Sequence, residues 1–74
     1  MAMTFDHALV QRDATLAGLT GAGLARKARV SKETVARFYR GGSITATTAA
    51  KLSKALGYRV ERYLLETAEL AVSR

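Results

Sequence analysis

The fold of this chain is decided by residues 25–39, which read ARKARVSKETVARFY. Good helix formers occupy both halves of the segment, and Val30 and Ser31 interrupt them. The hydroxyl of Ser31 can accept a hydrogen bond from a free backbone N–H in the first turn of a helix that begins after it. The segment also carries five basic side chains and one acidic side chain. It therefore predicts two short, strongly basic helices joined by a bend.

The positive charge of the whole chain is concentrated in its middle. The formal net charge is +6, but residues 26–62 hold ten Lys or Arg against two Glu, a net charge of +8. Residues 1–25 and residues 63–74 each carry a net charge of −1. Because a solvated surface usually mixes both signs, a basic middle between acidic ends predicts a binding surface for a polyanion.

Length and composition limit the class of protein. A chain of 74 residues has room for one domain with one small core, which we expect to span residues 1–74. The absence of cysteine excludes disulfides and thiolate metal sites. No apolar run approaches the length of a membrane span, and the first residues lack the pattern of a signal peptide. A cytoplasmic protein that does not bind membranes is expected.

Residues suited to catalysis or metal binding are too few to predict an enzyme. His7 is the only histidine, so a site built from His and Cys ligands is not expected. No base is spaced to activate Ser31, which is better explained as a helix cap. The glycines at 18, 21 and 23 lack the lysine and the preceding strand of a phosphate-binding loop. We expect no enzymatic activity, no metal and no cofactor.

The remaining pattern is helical throughout, with no alternating strand pattern and no proline. Ser, Thr and Gly mark the helix ends as caps and breaks. Helices are predicted over residues 5–16, 21–28, 32–40, 46–56 and about 60–72, with Thr4, Thr20, Ser31 and Thr45 as N-caps and Gly18, Gly41 and Gly57 near the C-terminal ends. The predicted fold is all-α, a compact five-helix bundle.

The second and third predicted helices form a helix-turn-helix over about residues 21–40. Ala25 is small enough to let the two helix axes approach closely, and Val35 is its expected partner across the crossing. Leu24, Val30 and Phe38 supply the rest of the apolar face. The helix over residues 46–56 is amphipathic and is expected to cover this pair.

Residues 19–64 read LTGAGLARKARVSKETVARFYRGGSITATTAAKLSKALGYRVERYL and resemble the phage-repressor/Cro type of helix-turn-helix domain, also called the xenobiotic-response-element family. The runs LARKARVSKETVARFYRG and KLSKALGY carry the resemblance. It implies a five-helix DNA-binding domain of a bacterial or phage protein, nucleoid-associated when bound to DNA, that uses its third helix in the major groove. The chain departs from the family pattern at Arg29, where Gly is frequent in the bend, and at Gly21, where Gln is frequent.

The resemblance also implies roles for individual side chains. Arg37 or Lys32 would contact guanine, Glu33 would accept a hydrogen bond from a cytosine amine, and Thr34 would touch a thymine methyl group. Alternatively, Glu33 only forms an ion pair with Arg37 on an exposed helix face, which would stabilise the helix by about 0.2–0.5 kcal/mol. Base contacts are therefore expected from Lys32, Glu33, Thr34 and Arg37, and DNA-backbone contacts from Thr20, Ser31, Arg40, Ser43, Arg26 and Arg29.

Three functions are compatible with these features. The first is a sequence-specific transcriptional repressor that binds a palindromic operator in double-stranded DNA as a homodimer. The second is an antitoxin of the same fold, which binds a toxin protein and represses its own promoter. The third is a basic helical module that binds a protein or a membrane surface. The basic residues fall on several helices and Trp is absent, which argues against the membrane surface.

The C-terminal residues 62–74, RYLLETAELAVSR, are the expected surface for a second chain. Apolar residues recur there at three- and four-residue steps, as on one face of a helix. Val60 and Leu64 are expected to pack on the domain's own core. The dimer interface is expected to use Tyr63, Leu70 and Val72. The alternative is an idle, frayed chain end.

Overall fold

The computed structural model describes residues 4–65. Within this range it contains four α-helices, one turn of 3-10 helix and two short strands. In chain order these are β1 (Thr4–Phe5), α1 (His7–Leu16), α2 (Gly21–Ala28), α3 (Lys32–Tyr39), α4 (Ala46–Leu56), the 3-10 turn (Val60–Arg62) and β2 (Leu64–Leu65). The two strands pair in an antiparallel ribbon, with Thr4 opposite Leu65 and Phe5 opposite Leu64.

Each α-helix begins after a polar residue whose side chain accepts a hydrogen bond from a backbone N–H in the first turn. The predicted caps Thr20, Ser31 and Thr45 are confirmed, at N···O distances of 3.0, 3.1 and 3.1 Å. The prediction of Thr4 as the first cap is wrong, because Asp6 caps α1 and Thr4 lies in β1. The bounds of α2 and α4 are those predicted, and α3 ends one residue earlier than expected.

The core is built around α2, which packs on both α3 and α4. Ala25 and Val35, the two residues predicted at the crossing of α2 and α3, are 2% and 0% exposed. Leu24 and Phe38 are buried beside them, and Leu52 of α4 closes the cluster. The two helices predicted for the helix-turn-helix are therefore present, and both residues predicted at their crossing are buried.

The prediction of a fifth helix is wrong for residues 60–65. The chain makes a single 3-10 turn there and then extends into β2, which pairs with β1. The carbonyl of Tyr63 accepts a hydrogen bond from the N–H of Asp6 at 2.7 Å, so it is not used in a helix. A pairing with the start of the chain has replaced the local bonds that the apolar spacing predicted. Residues 66–72 lie outside the described residues.

The same segment is attached to α1 through the buried side chain of Asp13. Its carboxylate accepts hydrogen bonds from Nε and Nη2 of Arg62, at 2.8 and 3.2 Å, and from the hydroxyl of Tyr63, at 2.7 Å. The hydrogen bond from Arg62 is the largest of the influences that together lower the pKa of Asp13. Burial raises the pKa of Tyr63, and the bond to Asp13 adds to that shift. The guanidinium of Arg62 also stacks on Tyr58, 4.3 Å from the ring centroid.

This arrangement corrects the expected role of Tyr63. The side chain was assigned to a dimer interface, but it is 2% exposed and packs in the core of its own chain. Its hydroxyl needs an acceptor when buried, and Asp13 supplies it. Val60 and Leu64 pack against the core as predicted. Leu70 and Val72, the other two residues assigned to the interface, lie outside the described residues.

Candidate nucleic-acid interface

The bend between α2 and α3 is closed by a residue in the left-handed conformation. Arg29 has φ 63° and ψ 44°, and it is the only residue other than glycine with positive φ between residues 4 and 65. The next residue, Val30, donates its N–H to the carbonyl of Ala25 at 3.0 Å, which ends α2. A side chain in this conformation is mildly strained. The left-handed conformation of Arg29 places its long, exposed basic side chain just before the start of α3.

Helix α3 has one buried face and one open face. Val35 and Phe38 are buried, whereas Lys32, Glu33 and Arg37 are exposed. These three are among the residues predicted to contact bases, and none of them is used to hold the core together. Their side chains are therefore available to a partner along the outer side of α3.

Thr34, the fourth residue predicted to contact a base, is only half-buried and is already hydrogen-bonded. Its hydroxyl and that of Ser31 share a hydrogen bond of 2.7 Å, and its backbone N–H donates to the Ser31 hydroxyl. This leaves the methyl group of Thr34 as the part suited to a new contact. Glu33 and Arg37 form no ion pair within the described part of the chain. The alternative that they merely pair with each other gains no support.

The side chains predicted to contact the DNA backbone all lie on the surface around the two helices. Thr20 and Ser31 are exposed caps at the starts of α2 and α3. Arg40 ends α3, and Ser43 lies in the loop after it; both are exposed. Arg26 and Arg29 are exposed on the last turn of α2 and in the bend, respectively. The structure thus brings polar and basic groups to both ends of α3.

Most of the basic side chains in the middle of the sequence are free to act on a partner. Of the ten Lys and Arg in residues 26–62, Arg59 pairs with Glu61 at 3.5 Å and Arg62 pairs with Asp13 at 2.8 Å. The other eight are exposed and form no ion pair within residues 4–65. The eight are Arg26, Lys27, Arg29, Lys32, Arg37, Arg40, Lys51 and Lys54.

A cleft of about 470 Å³ runs along α3 and is lined also by residues of α1 and α2. Lys32 and Glu33 lie on one side of it, and Gln11 of α1 lies among the other lining residues. Sequence reasoning missed Gln11, because nothing local shows that α1 approaches the start of α3. Gly21 also lines the cleft, and a Cβ there would lie 3.4 Å from Cε2 of Tyr39. The ring of Tyr39 therefore lies against the start of α2.

Other kinds of site gain no support from the described residues. Between residues 4 and 65, no three His, Cys, Asp or Glu side chains lie together in a way that could hold a metal ion. None of the helices in that range has the length and apolar character needed to cross a membrane.

Comparison with known families agrees with this geometry. Residues 11–62 match the family model described as helix-turn-helix, and this range includes the whole of α2, α3 and α4. Comparison with curated proteins and with solved structures gives no significant match. The family match covers more than half of the chain and includes Gln11, Arg37 and the intervening bend. The chain therefore belongs to the helix-turn-helix family of the phage-repressor/Cro type, a family of DNA-binding transcription regulators.

Proposed function

We propose that the protein is a sequence-specific repressor that places α3 in the major groove of double-stranded DNA. The observation that carries this proposal is the division of α3 into a buried face, formed by Val35 and Phe38, and an exposed face that carries Lys32, Glu33 and Arg37. An α-helix with its side chains is about 10–12 Å in diameter, similar to the ~12 Å width of the major groove. The open face thus has both the dimensions and the side chains for reading base edges.

Each exposed side chain of α3 suits a different base. The planar guanidinium of Arg37 can donate two hydrogen bonds to O6 and N7 of guanine, and Lys32 can donate to the same atoms. The carboxylate of Glu33 accepts from the amino group of cytosine. The methyl group of Thr34 is suited to the methyl group of thymine, because its hydroxyl is already bonded to Ser31. We assign base recognition to these four residues.

Contacts to the phosphates hold α3 in register. The exposed side chains of Arg26, Arg29 and Arg40 supply charge on both sides of α3, and the Ser43 hydroxyl lies in the loop that follows. At the start of α2 and α3, Thr20 and Ser31 accept from the third helical N–H, which leaves earlier N–H groups of each helix free to meet a phosphate. Such contacts give affinity and orientation but carry no sequence information.

The operator is proposed to be palindromic and the protein to bind it as a homodimer. One α3 reads only a few base pairs, and two-fold pairing of subunits doubles the length of the site. Since Tyr63 is buried in its own chain, the interface must use other residues. Leu65, at the end of β2 and within the segment assigned to dimerisation, is 41% exposed and is therefore open to a second chain.

Selection of bound duplexes from a random DNA pool tests this proposal. We expect one preferred sequence with two-fold symmetry, bound by two chains. The affinity should fall steeply with salt. For each phosphate contact, log K decreases by about 0.9 when the salt concentration rises tenfold. Arg12→Ala is the control, because it removes a positive charge that is exposed on α1 outside the basic middle. Its affinity and salt dependence should match those of the wild type. An affinity that is unchanged between low and moderate salt, or a pool that gains no preferred sequence, would refute the proposal.

A further inference from the structure

The end of α3 is closed by two hydrogen bonds that bring Gly42 back over the last turn of the helix. The N–H of Gly42 donates to the carbonyl of Arg37 at 2.9 Å, and the N–H of Gly41 donates to the carbonyl of Phe38 at 2.9 Å. Gly41 has φ 96°, a left-handed conformation that glycine adopts without strain. This is the Schellman closure of a helix, in which the second residue after the cap lies beside the third residue from the helix end.

Gly42 lies so close to Arg37 that a side chain on it has no space. A Cβ at Gly42 would lie 2.6 Å from Cγ of Arg37, 2.8 Å from its carbonyl oxygen and 3.3 Å from its carbonyl carbon. Real Cβ atoms essentially never show contacts shorter than 3.0 Å. Gly42 itself does not have positive φ, so its own φ does not require glycine at this position. The requirement comes from Arg37.

The Schellman closure alone does not explain this contact. Helix α4 ends in a similar way, with the N–H of Tyr58 donating to the carbonyl of Ser53 at 3.0 Å and Gly57 at φ 84°. The α4 residue in the position of Gly42 is Tyr58, which carries a side chain. The close approach is therefore a property of the α3 end, where the third residue from the helix end is the exposed Arg37.

We propose that Gly42 is a positioning residue for sequence recognition. By lacking a Cβ, it lets the first carbons of the Arg37 side chain lie over the end of α3, and this fixes the direction in which the guanidinium leaves the helix. A methyl group at position 42 would clash with both Cγ and the carbonyl oxygen of Arg37, so the Arg37 side chain must leave its rotamer and the backbone of the turn must shift as well. The proposal rests on the proposed role of Arg37 in reading a base.

Selection from a random duplex pool can test this with four proteins: the wild type, Arg37→Ala, Gly42→Ala and the double variant. Arg37→Ala is expected to lose about 5- to 150-fold of the discrimination at one base pair. Gly42→Ala should lose at least about fivefold at that same base pair, with the preferences elsewhere unchanged. The double variant should show the profile of Arg37→Ala alone, since the Cγ that Gly42 positions is then absent.

Gly57→Ala, at the glycine of the α4 end that corresponds to Gly41, is the control for a purely structural effect. It places a β-carbon on a left-handed residue, so its melting temperature should fall, but its base preferences should equal those of the wild type. If Gly42→Ala changes preferences no more than Gly57→Ala does, the inference is wrong. If Arg37→Ala itself leaves all preferences unchanged, the proposed role of Arg37 fails first.

A measurement on the wild-type protein covers the case in which Gly42→Ala does not fold. The short separation of Cγ of Arg37 from position 42 predicts nuclear Overhauser effects between the Hγ protons of Arg37 and the Hα protons of Gly42. One set of Arg37 resonances with this contact, in free protein and in the complex, supports the inference. Loss of the contact in the complex with the preferred duplex, or its absence throughout, would overturn it.

Discussion

Replacing Asp13 with alanine should weaken the attachment of residues 60–65 to α1. The Asp13 side chain is 4% exposed and accepts three hydrogen bonds, two from Arg62 and one from Tyr63. Alanine would leave the hydroxyl of Tyr63 buried without an acceptor, which costs about 1–3 kcal/mol. The Arg62 side chain is 38% exposed and can turn to water, so its lost contact adds little. We expect the free energy of unfolding to fall by about 2 kcal/mol.

Urea denaturation followed by circular dichroism at neutral pH measures this loss. Tyr63→Phe is the partner variant, and Asp13→Ala/Tyr63→Phe removes the donor and the acceptor together. Replacing both partners by apolar groups leaves no buried polar atom unpaired, so the double variant should lose about 1 kcal/mol less than the sum of the single variants. Strictly additive losses, or a loss below about 0.5 kcal/mol for Asp13→Ala, would refute the reasoning.

The Asp13 carboxylate should also make the unfolding free energy depend on pH. The pKa of Asp13 is lowered from its ordinary value of 3.8, with the hydrogen bond from Arg62 as the largest cause. Its contribution to stability is therefore present above the unfolded pKa and is lost as the pH falls through the lower, folded pKa. The difference in unfolding free energy between the wild type and Asp13→Asn should shrink as the pH falls from neutral to below 3.8. A difference that stays constant across this range would contradict the assignment.

Four further substitutions separate stability from recognition. Arg37→Ala should cost about 1–3 kcal/mol on the preferred duplex only, whereas Arg40→Ala should weaken preferred and random duplexes alike, as binding titrations would show. Arg29→Gly should raise the unfolding free energy by about 1 kcal/mol, because glycine relieves the strain at φ 63°. The same variant loses one phosphate contact, so the plot of log K against log salt should become less steep by about 0.9. Gly21→Ala should stabilise α2 by about 0.5 kcal/mol in urea titrations, since the added Cβ would meet Tyr39 at an ordinary 3.4 Å.

The parts of the fold that follow from local chemistry could be predicted from the sequence. Thr20, Ser31 and Thr45 cap their helices because each hydroxyl bonds a backbone N–H three residues along, a contact that needs no other part of the chain. The burial of Ala25 and Val35 also followed from spacing, since two adjacent helices joined by a short bend have few ways to pack.

Contacts between distant parts of the chain explain the wrong predictions. The apolar spacing after Val60 fits a helix, but the pairing of Leu64 with Phe5 and the burial of Tyr63 against Asp13 both join residues about fifty or more positions apart. Local propensity contains no information about such partners, and the tertiary contacts override it. The candidate site follows the same rule. The exposure of Lys32 and Arg37 could be predicted from helical periodicity, whereas the presence of Gln11 in the same cleft as Lys32 could not.

The side chains that hold the fold and those proposed to contact DNA are largely different, and besides the helix caps Thr20 and Ser31 the exception is Arg29. Asp13 and Tyr63 hold the fold without lying on the open face of α3, and Arg37 lies on that face without packing in the core. Arg29 does both, because its left-handed backbone ends α2 while its exposed side chain adds positive charge beside the start of α3. Strain that persists at one residue is expected where that residue serves binding. Arg29→Lys keeps the strain and the charge, so its stability and salt dependence should match those of the wild type, whereas Arg29→Gly should gain stability and lose affinity. If Arg29→Gly gains stability with no loss of affinity at low salt, the strain serves no purpose in binding, and Arg29 is only the end of a helix.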